Sequence, residues 1–233
     1  MSCTVLEDKE FGEIKIRRVA RAKYVRLRMS PNGQLVATMP RLAPLLVLKQ
    51  LLERSRPALR KAREDTKVNG PPLYENGMNI GSSHHIMLQN GSKHAAVRRG
   101  QTIMWTVPTG SDTSSEISQD TVRAAVRKAL DAEAKAFLPR RLAYIADQGG
   151  FRYSKVRYSN AKGRWGSCNS RGVISLNVAL MNLPKELIDY VLTHELSHTR
   201  HLNHSVAFWQ TVAQFYPDYK NARKALKNYS PYI

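Results

Sequence analysis

The stretch His194-Glu195-Leu196-Ser197-His198 is the most informative part of the sequence. On a helix, residues four apart lie on one face, so both imidazole rings can reach one metal ion, with Glu195 beside the first ring. Zinc bound in this way lowers the pKa of a water molecule to roughly 7, and a neighbouring carboxylate can take its proton. The motif therefore predicts metal-assisted hydrolysis, with His194 and His198 as zinc ligands and Glu195 as the general base.

The residues before this motif have the pattern of a helix with one buried face. Pro184 stands at a first-turn position and Glu186 follows soon after, as is typical of a helix start. Apolar residues then recur at helical spacing, namely Leu187, Ile188, Val191 and Leu192. The alternative is an amphipathic helix whose histidines merely face solvent, and it leaves the five-residue motif unexplained.

A third zinc ligand must come from another part of the chain, because catalytic zinc sites usually have three protein ligands and one open position. No glutamate follows Glu195. Asp218 is the only later acidic residue, and its position after Pro217 at a predicted helix start favours a capping role. His201 would lie about 4.5 Å further along a straight helix than His198, which favours a surface position or a supporting role.

His204 is the predicted third ligand. Asn203 tolerates the left-handed conformation and can end the helix, after which the chain turns back towards the ion. Ser205 is the predicted N-cap of the next helix, residues 206–216, with Phe208 and Trp209 among its packing residues. The predicted ligand set is therefore His204 with the two histidines of the motif.

Further motifs flank these histidines. Upstream are Lys162-Gly163-Arg164-Trp165-Gly166-Ser167-Cys168 and Gly172-Val173-Ile174-Ser175-Leu176-Asn177, and downstream are Asn203-His204-Ser205 and Phe208-Trp209. Together with the HExxH stretch they closely resemble the YgjP-like metallopeptidase family of zincins, over residues 157–229. Residues 17–40 resemble the family more loosely.

The resemblance implies a zinc-dependent hydrolase, a peptidase acting on peptide or protein substrates, related in core design to SprT-type proteases. It implies the ligand role for His194, His198 and His204, and the catalytic role for Glu195. It also implies a zincin-like core, in which a long helix and a small sheet accompany the metal helix.

The segment around Trp165 has two interpretations. In zincins, a strand ahead of the metal helix borders the cleft and can pair with an extended peptide. Arg164 and Trp165 are thus candidate substrate-binding residues, with Arg164 stabilising an oxyanion or orienting a carboxylate or phosphate. The alternative is structural, with Trp165 packed over the helix and Cys168 as a small buried hydrophobe. Nucleophilic catalysis by Cys168 is rejected because the HExxH motif makes it needless.

Composition and cysteine usage favour a cytoplasmic protein without a membrane segment. The chain has 233 residues, enough for one large domain or two small ones. No apolar run approaches the roughly 20 residues that span a bilayer. Residues 1–13 are acidic rather than basic and apolar, which argues against a secretory signal. Cys3 and Cys168 lie far apart and indicate no disulfide framework, in agreement with a reducing compartment.

The net charge of +19 suggests a polyanionic partner. The cations concentrate in two regions, Arg17, Arg18, Arg21, Lys23, Arg26 and Arg28, and Arg152, Lys155, Arg157, Lys162 and Arg164. Such clusters predict weak, salt-sensitive binding of nucleic acid or another polyanion. Solubility without a dedicated ligand is the alternative, and no zinc-finger or RNA-recognition signature indicates sequence-specific readout.

Hydrophobic periodicity and turn signals predict an α+β chain. In residues 1–70 they predict strands near 14–16 and 25–29, a turn at Pro31-Asn32-Gly33, a return strand at 35–39 and a helix over 44–65 interrupted at Pro57. Residues 74–107 are predicted to form a small antiparallel sheet. His84 and His85 of this sheet are assigned to the surface. In the second half they predict a loop at 108–118, a long helix over 121–147 stopped by Gly149-Gly150, and strands at 151–159 and 173–177 before the metal helix.

Two regions follow from this order of elements. Residues 1–110 are expected to form an N-terminal β-rich α+β region, and residues 111–233 a zincin-like metallopeptidase core. No internal repeat is visible. Three functions remain in competition: a zinc metallopeptidase, a metal-dependent hydrolase of nucleotides or other phosphoanhydrides, and a basic nucleic-acid-associated module with a vestigial metal site.

Overall fold

The structure is a computed structural model that describes residues 4–29, 35–69 and 71–233. It has a mixed α/β architecture with three small sheets and five α-helices in these ranges. The chain divides into two compact units, the first ending at Pro71 and the second spanning Pro72–Ile233. The predicted turn Pro31-Asn32-Gly33 and Cys3 lie outside the described residues.

The first unit is a four-stranded sheet covered on one face by a helix. Its elements are β1 (Thr4–Asp8), β2 (Gly12–Val19), β3 (Arg26–Met29), β4 (Leu35–Pro40) and α1 (Leu45–Asn69). The strand order is β1-β2-β4-β3, with β2 and β4 parallel and the other pairs antiparallel. Alternation along β2 and β4 buries Ile14, Ile16, Leu35, Ala37 and Met39. The predicted strands at 25–29 and 35–39 are confirmed as the antiparallel pair β3 and β4.

Helix α1 continues through Pro57, so the predicted interruption is wrong. A proline inside a helix costs about 3 kcal/mol, because a hydrogen bond is lost and the ring crowds the preceding turn. Pro57 is exposed, whereas Leu48, Leu52 and Leu59 are buried on either side of it. Burying each leucine stabilises the fold by about 1.5–3 kcal/mol, so the shared apolar face outweighs the proline.

The second unit begins with another four-stranded sheet and a long helix. Its first elements are β5 (Asn79–Ile80), β6 (His84–Gly91), β7 (Ala95–Arg99), β8 (Thr102–Pro108) and α2 (Glu116–Gly149). The order is β5-β6-β8-β7, and β6 runs parallel to β8. The prediction of an entirely antiparallel sheet is therefore wrong. Turn signals identify pairs of strands that follow each other in sequence. Strands β6 and β8 are neighbours in the sheet although β7 separates them in sequence.

The two four-stranded sheets share one topology. In each sheet, the second and fourth strands lie at the centre and pair in parallel. The first strand pairs antiparallel with the second, and the third pairs antiparallel with the fourth, so the first and third strands form the edges. A long helix follows each sheet. The chain thus contains a repeated ββββα arrangement that the sequence analysis missed. The repeat lies in strand order and pairing, and the side chains on the two sheets differ.

Helix α2 joins this sheet to the rest of the second unit. Its buried apolar side chains belong to one core cluster that also contains Ile103 and Trp105 of β8 and Ile174 and Leu176 further along the chain. The first compact unit ends at Pro71, so the sheet of β5–β8 groups with α2 in the second unit. The division of the sequence into functional regions 1–110 and 111–233 stays a prediction. The predicted long helix is confirmed, and Gly150 ends it with a φ of 61°.

Glu133 of α2 fixes the loop before β6. Its carboxylate accepts hydrogen bonds from the Ser82 and Ser83 backbone amides at 2.9 and 3.1 Å. The Ser83 hydroxyl and His84 Nδ1 lie 2.7 and 2.5 Å from Glu133 Oε1. His84 is buried, so its predicted surface position is wrong. The carboxylate from a distant helix supplies the partner that a buried imidazole needs.

A third sheet and three helices complete the second unit. They are β9 (Lys155–Ser159), β10 (Gly166–Cys168), β11 (Val173–Asn177), α3 (Lys185–Ser197), α4 (Val206–Phe215) and α5 (Tyr219–Leu226). The central strand β11 is antiparallel to β10 and parallel to β9. Arg141 on α2 forms a salt bridge of 2.6 Å with Asp189 on α3. Among the described residues, no helix has the length and apolar character needed to cross a membrane.

Candidate metal centre

Helix α3 ends at the HExxH motif. Leu187, Ile188, Val191 and Leu192 are buried as predicted, and His198 is the C-cap residue. The Thr199 amide donates to the Leu196 carbonyl at 2.9 Å, so the chain already turns there. The predicted left-handed Asn203 is wrong, because no described residue other than glycine has a positive φ. A tight turn of backbone hydrogen bonds replaces the expected αL cap.

Three histidines converge beyond this turn. His194, His198 and His204 each offer a ring nitrogen, and these atoms lie within 4.8 Å of one another. The Nε2 atoms of His194 and His204 are 3.1 Å apart. Two ring nitrogens approach so closely only when a proton or a cation lies between their lone pairs. The group could therefore hold a metal ion, and His201 is not part of it.

His201 contributes through its backbone. His198 Nδ1 lies 3.0 Å from the His201 carbonyl oxygen, which can only accept a hydrogen bond. The proton of His198 is therefore on Nδ1, and Nε2 keeps its lone pair for the shared site. A hydrogen bond of this kind is what usually orients a metal-binding imidazole. Sequence reasoning considered only the side chain of His201 and missed this contact.

Aromatic residues of α4 pack against the three rings. Ser205 caps α4 as predicted, its hydroxyl accepting from the Phe208 amide. Phe208 is buried and stacks on His198, with ring centroids 4.4 Å apart. Trp209 stacks on His204 with ring centroids 5.6 Å apart, and also on Tyr219 at 5.4 Å. The aromatic residues predicted to pack the core thus also fix the imidazole orientations.

His194 and His198 lie in surroundings that favour their neutral form. Burial, with the adjacent rings of His198 and His204, lowers the pKa of His194 to about 3. Burial also lowers the pKa of His198, despite the hydrogen bond from its ring to His201. Neutral imidazole is the form that binds metal ions, so the site is electrostatically suited to a cation.

Glu195 is a buried carboxyl group beside the histidines. Its side chain is 5% exposed, and Oε2 has no hydrogen-bond partner among the described residues. Burial raises the pKa of Glu195 to about 8, while the charge of Arg164 opposes the shift. An unpartnered buried carboxyl group next to three imidazoles fits a site that receives a cation and a water molecule.

A cleft of about 210 Å³ opens beside Glu195. Its lining residues are Trp165, Gly166, Tyr190, Val191, His194, Glu195 and Leu226. Sites that enclose a drug-sized molecule measure about 300–1,000 Å³, so this cleft suits a single side chain of a longer ligand. Trp165 lines the cleft and also packs against the core, so both interpretations of this residue describe part of its surroundings.

The neighbours of Trp165 differ in exposure and charge. Arg164 is exposed, and its side chain acts on the site through the effect of its charge on Glu195. Cys168 is half-buried, and burial together with the charge of Glu195 raises the pKa of its thiol to about 11. A protonated thiol is a poor nucleophile, in agreement with the rejection of cysteine catalysis.

Residues 23–229 match the YgjP-like metallopeptidase domain. The chain belongs to the YgjP-like metallopeptidase family. This confirms the resemblance seen in the motifs. The chain is also similar in structure to the metallopeptidase zymogen abylysin of Pyrococcus abyssi, with 27% identity, 39% of this chain and 91% of that chain covered, and a TM-score of 0.36. Among curated proteins, none gives a significant match.

Membership of this family makes the protein a metallopeptidase, and hence a hydrolase. A metallopeptidase requires a metal ion and hydrolyses peptide or protein substrates. The three-histidine group is a site that could bind this ion.

Proposed function

We propose that the protein is a zinc metallopeptidase in which His194, His198 and His204 hold the ion and Glu195 is the general base. The observation that carries this proposal is the convergence of three imidazole nitrogens within 4.8 Å, next to a buried carboxylate without a partner. Three imidazole ligands and one open position are typical of catalytic zinc. In this proposal α2, the sheet of β9–β11 and α3 form a zincin-like core.

Glu195 performs the proton transfers. The chemistry that zinc supplies when bound is Lewis acidity towards water and towards the substrate carbonyl. Glu195 takes a proton from the attacking water and later donates it to the leaving amine. Its buried position holds the carboxyl group at the cleft wall and raises its pKa, which suits a group that must both accept and release a proton.

Strand β10 is the proposed docking edge for the substrate. It lies at the edge of its sheet, with β11 as its one partner among the described strands, and Gly166 at its start lines the cleft. An extended peptide can add to such an edge through main-chain hydrogen bonds. Trp165 would contact a substrate side chain, and Arg164 would orient a substrate carboxylate or the developing oxyanion.

The competing hydrolase function changes the substrate to a phosphoanhydride such as a nucleotide. The position of Arg164, whose charge reaches Glu195, is the observation that favours it. A vestigial site in a nucleic-acid-associated module is the remaining alternative, and it predicts that Glu195 is dispensable.

The decisive experiment compares Glu195→Gln with Glu186→Gln. Glu186 is an exposed acid on the same helix, so it controls for the loss of one charge. Metal content, cleavage of labelled casein and nucleoside triphosphate turnover are measured on both variants. We expect Glu195→Gln to retain zinc and to lose casein cleavage by about 100- to 10,000-fold, with Glu186→Gln unchanged. Nucleotide turnover without casein cleavage would replace the peptidase proposal, and equal activity of both variants would reject it.

A further inference from the structure

The face of the first sheet opposite α1 carries four cations. Lys15 and Arg17 alternate along β2 with the buried Ile14 and Ile16, and both are exposed. Arg26 and Arg28 are likewise exposed on β3. Because α1 packs on the other face, these side chains extend from an uncovered sheet surface. We call it the basic sheet face, and it consists of Lys15, Arg17, Arg26, Arg28, Val36 and Thr38.

Strand register arranges the cations at the corners of a rectangle. Val36 of β4 lies between Lys15 and Arg28, and Thr38 lies between Arg17 and Arg26. Each of these two sets of three residues forms a row across the strands. The two cations of one row are separated by two strand spacings, about 10 Å, and the two rows are about 7 Å apart along the strands. Val36 and Thr38 are short, so the surface between the cations is flat.

None of these four cations forms an ion pair with a described residue. Glu7 of β1 and Glu13 of β2 pair with each other in the next row of the same face, two residues from Lys15, and neither of these described acids forms an ion pair with the four cations. Other cations of the same unit, Arg56 and Arg60, are paired with acids. Arg56 binds Asp8, Glu10 and Glu53 at 2.7–3.0 Å. The charges of the basic sheet face are therefore available to a ligand.

The second sheet provides an internal comparison. It has the same topology, and its corresponding rows are Met87, Met104 and Val97, and Gln89, Thr106 and Ala95. All six are uncharged. The fold therefore does not require cations at these positions. The exposed face of the second sheet has one arginine, Arg99, in the adjacent row with Thr102 and His85.

We propose that the basic sheet face binds single-stranded nucleic acid through its phosphates. Regularly spaced cations complement a phosphodiester chain, which repeats one negative charge per nucleotide. The major groove of a duplex admits a helix or a two-stranded ribbon, and a four-stranded sheet is wider than that. Single strands, in contrast, lie across sheets and stack on aromatic side chains. Tyr24 is 71% exposed and precedes Arg26 by two residues, so a stacking partner is nearby.

An acidic protein fits this surface less well. The centre of a protein interface is usually depleted in charged residues and rich in apolar ones. The centre of the basic sheet face offers only Val36 and Thr38, surrounded by four charges. A ligand whose own charges repeat along a flexible chain therefore matches it better.

The test uses two charge-matched variants of the full chain. The first, Arg17→Gln/Arg26→Gln/Arg28→Gln, removes three cations from the face. The second, Lys49→Gln/Arg54→Gln/Lys61→Gln, removes three exposed cations of α1 that have no ion pair with a described residue. Binding of a labelled 16-nucleotide single strand is measured by fluorescence anisotropy over a range of salt concentrations, with a duplex and poly-glutamate as competitors.

We expect the first variant to bind at least tenfold more weakly at low salt than the second. The slope of log affinity against log salt should fall by about 2, since each phosphate contact on a single strand contributes about 0.7. Equal losses in the two variants would overturn the proposal in favour of diffuse charge. Stronger competition by poly-glutamate or by the duplex than by the unlabelled single strand would overturn it in favour of that ligand.

A footprint on the unmodified protein avoids any dependence on folding of the variants. The oligonucleotide should protect Lys15 from acetylation and leave Lys49 reactive. Equal labelling of Lys15 with and without the oligonucleotide would refute the proposal. Metal content and casein cleavage should be the same in both triple variants, so this test is independent of the metal site.

Discussion

Gly166 on β10 lies directly against the carboxyl group of Glu195 on α3. A Cβ at position 166 would lie 2.6 Å from Cγ and Oε1 of Glu195 and 2.7 Å from Cδ. Carbon atoms do not approach so closely, so any larger residue must displace the glutamate. Glycine at position 166 thus gives Glu195 its place in the cleft wall.

We predict that Gly166→Ala impairs catalysis while leaving the metal site intact. Displacement of a catalytic group by about 1 Å costs on the order of 100-fold in rate, so kcat for casein cleavage should fall by about that factor. Gly163→Ala is the matched control, because a Cβ there meets no atom within 4 Å. Equal kcat values for the two variants would show that Glu195 does not depend on this contact.

We predict that His204→Ala loses bound metal and His201→Ala retains it. The side chain of His204 supplies a nitrogen to the three-histidine group, whereas His201 contributes a backbone carbonyl that alanine also has. Metal analysis of the purified variants tests this difference. Unchanged zinc in His204→Ala would remove His204 from the ligand set and leave the two histidines of α3.

We predict that Trp209 positions His204 for binding. Its ring stacks on His204 with a centroid distance of 5.6 Å and an interplanar angle of 23°. An aromatic pair of this kind contributes about 0.5–1.5 kcal/mol, so Trp209→Leu should weaken zinc affinity by about 2- to 10-fold. Trp209→Phe keeps an aromatic ring and should recover part of the affinity. A merely structural role would lower thermal stability in Trp209→Leu without changing zinc affinity per folded molecule.

We predict that Glu133→Ala destabilises the second unit. The substitution leaves His84 and the amides of Ser82 and Ser83 without their acceptor, which should cost about 3 kcal/mol of unfolding free energy. Asp131→Ala is the control on the same helix, since its ion pair with Lys135 is exposed and contributes about 0.5 kcal/mol or less. Chemical denaturation of both variants measures the difference.

The contribution of Glu133 should also depend on pH. Burial raises the pKa of this carboxyl group, but its hydrogen bonds outweigh burial and hold the pKa below 4.5. A carboxyl group whose pKa is lower in the folded state than in the unfolded state stabilises the protein at every pH above the unfolded-state pKa. This stabilisation is lost as the pH falls through the folded-state pKa. The difference in unfolding free energy between wild type and Glu133→Ala should therefore shrink below about pH 4.5. A difference that stays constant down to pH 3 would contradict this account.

Local patterns predicted much of the fold. The alternation in β2 and β4, the strand β11, the long helix α2 with its αL cap at Gly150, and the Ser205 cap of α4 all follow from neighbouring residues. Apart from the backbone conformation of Asn203, the errors concern packing between distant segments. The continuity of α1 through Pro57 and the burial of His84 depend on partners that local sequence does not identify.

The sequence by itself determined that His194 and His198 share a helical face with Glu195 between them, because helical periodicity is local. The metal-ligand roles of these residues and of His204 stay predictions. Only the tertiary structure decided that His204 reaches the same point, that Gly166 leaves space for Glu195, and that Lys15, Arg17, Arg26 and Arg28 surround one flat surface. Each of these relationships joins residues on different elements. Their distances depend on strand register and side-chain packing, which the spacing of residues along the chain does not encode.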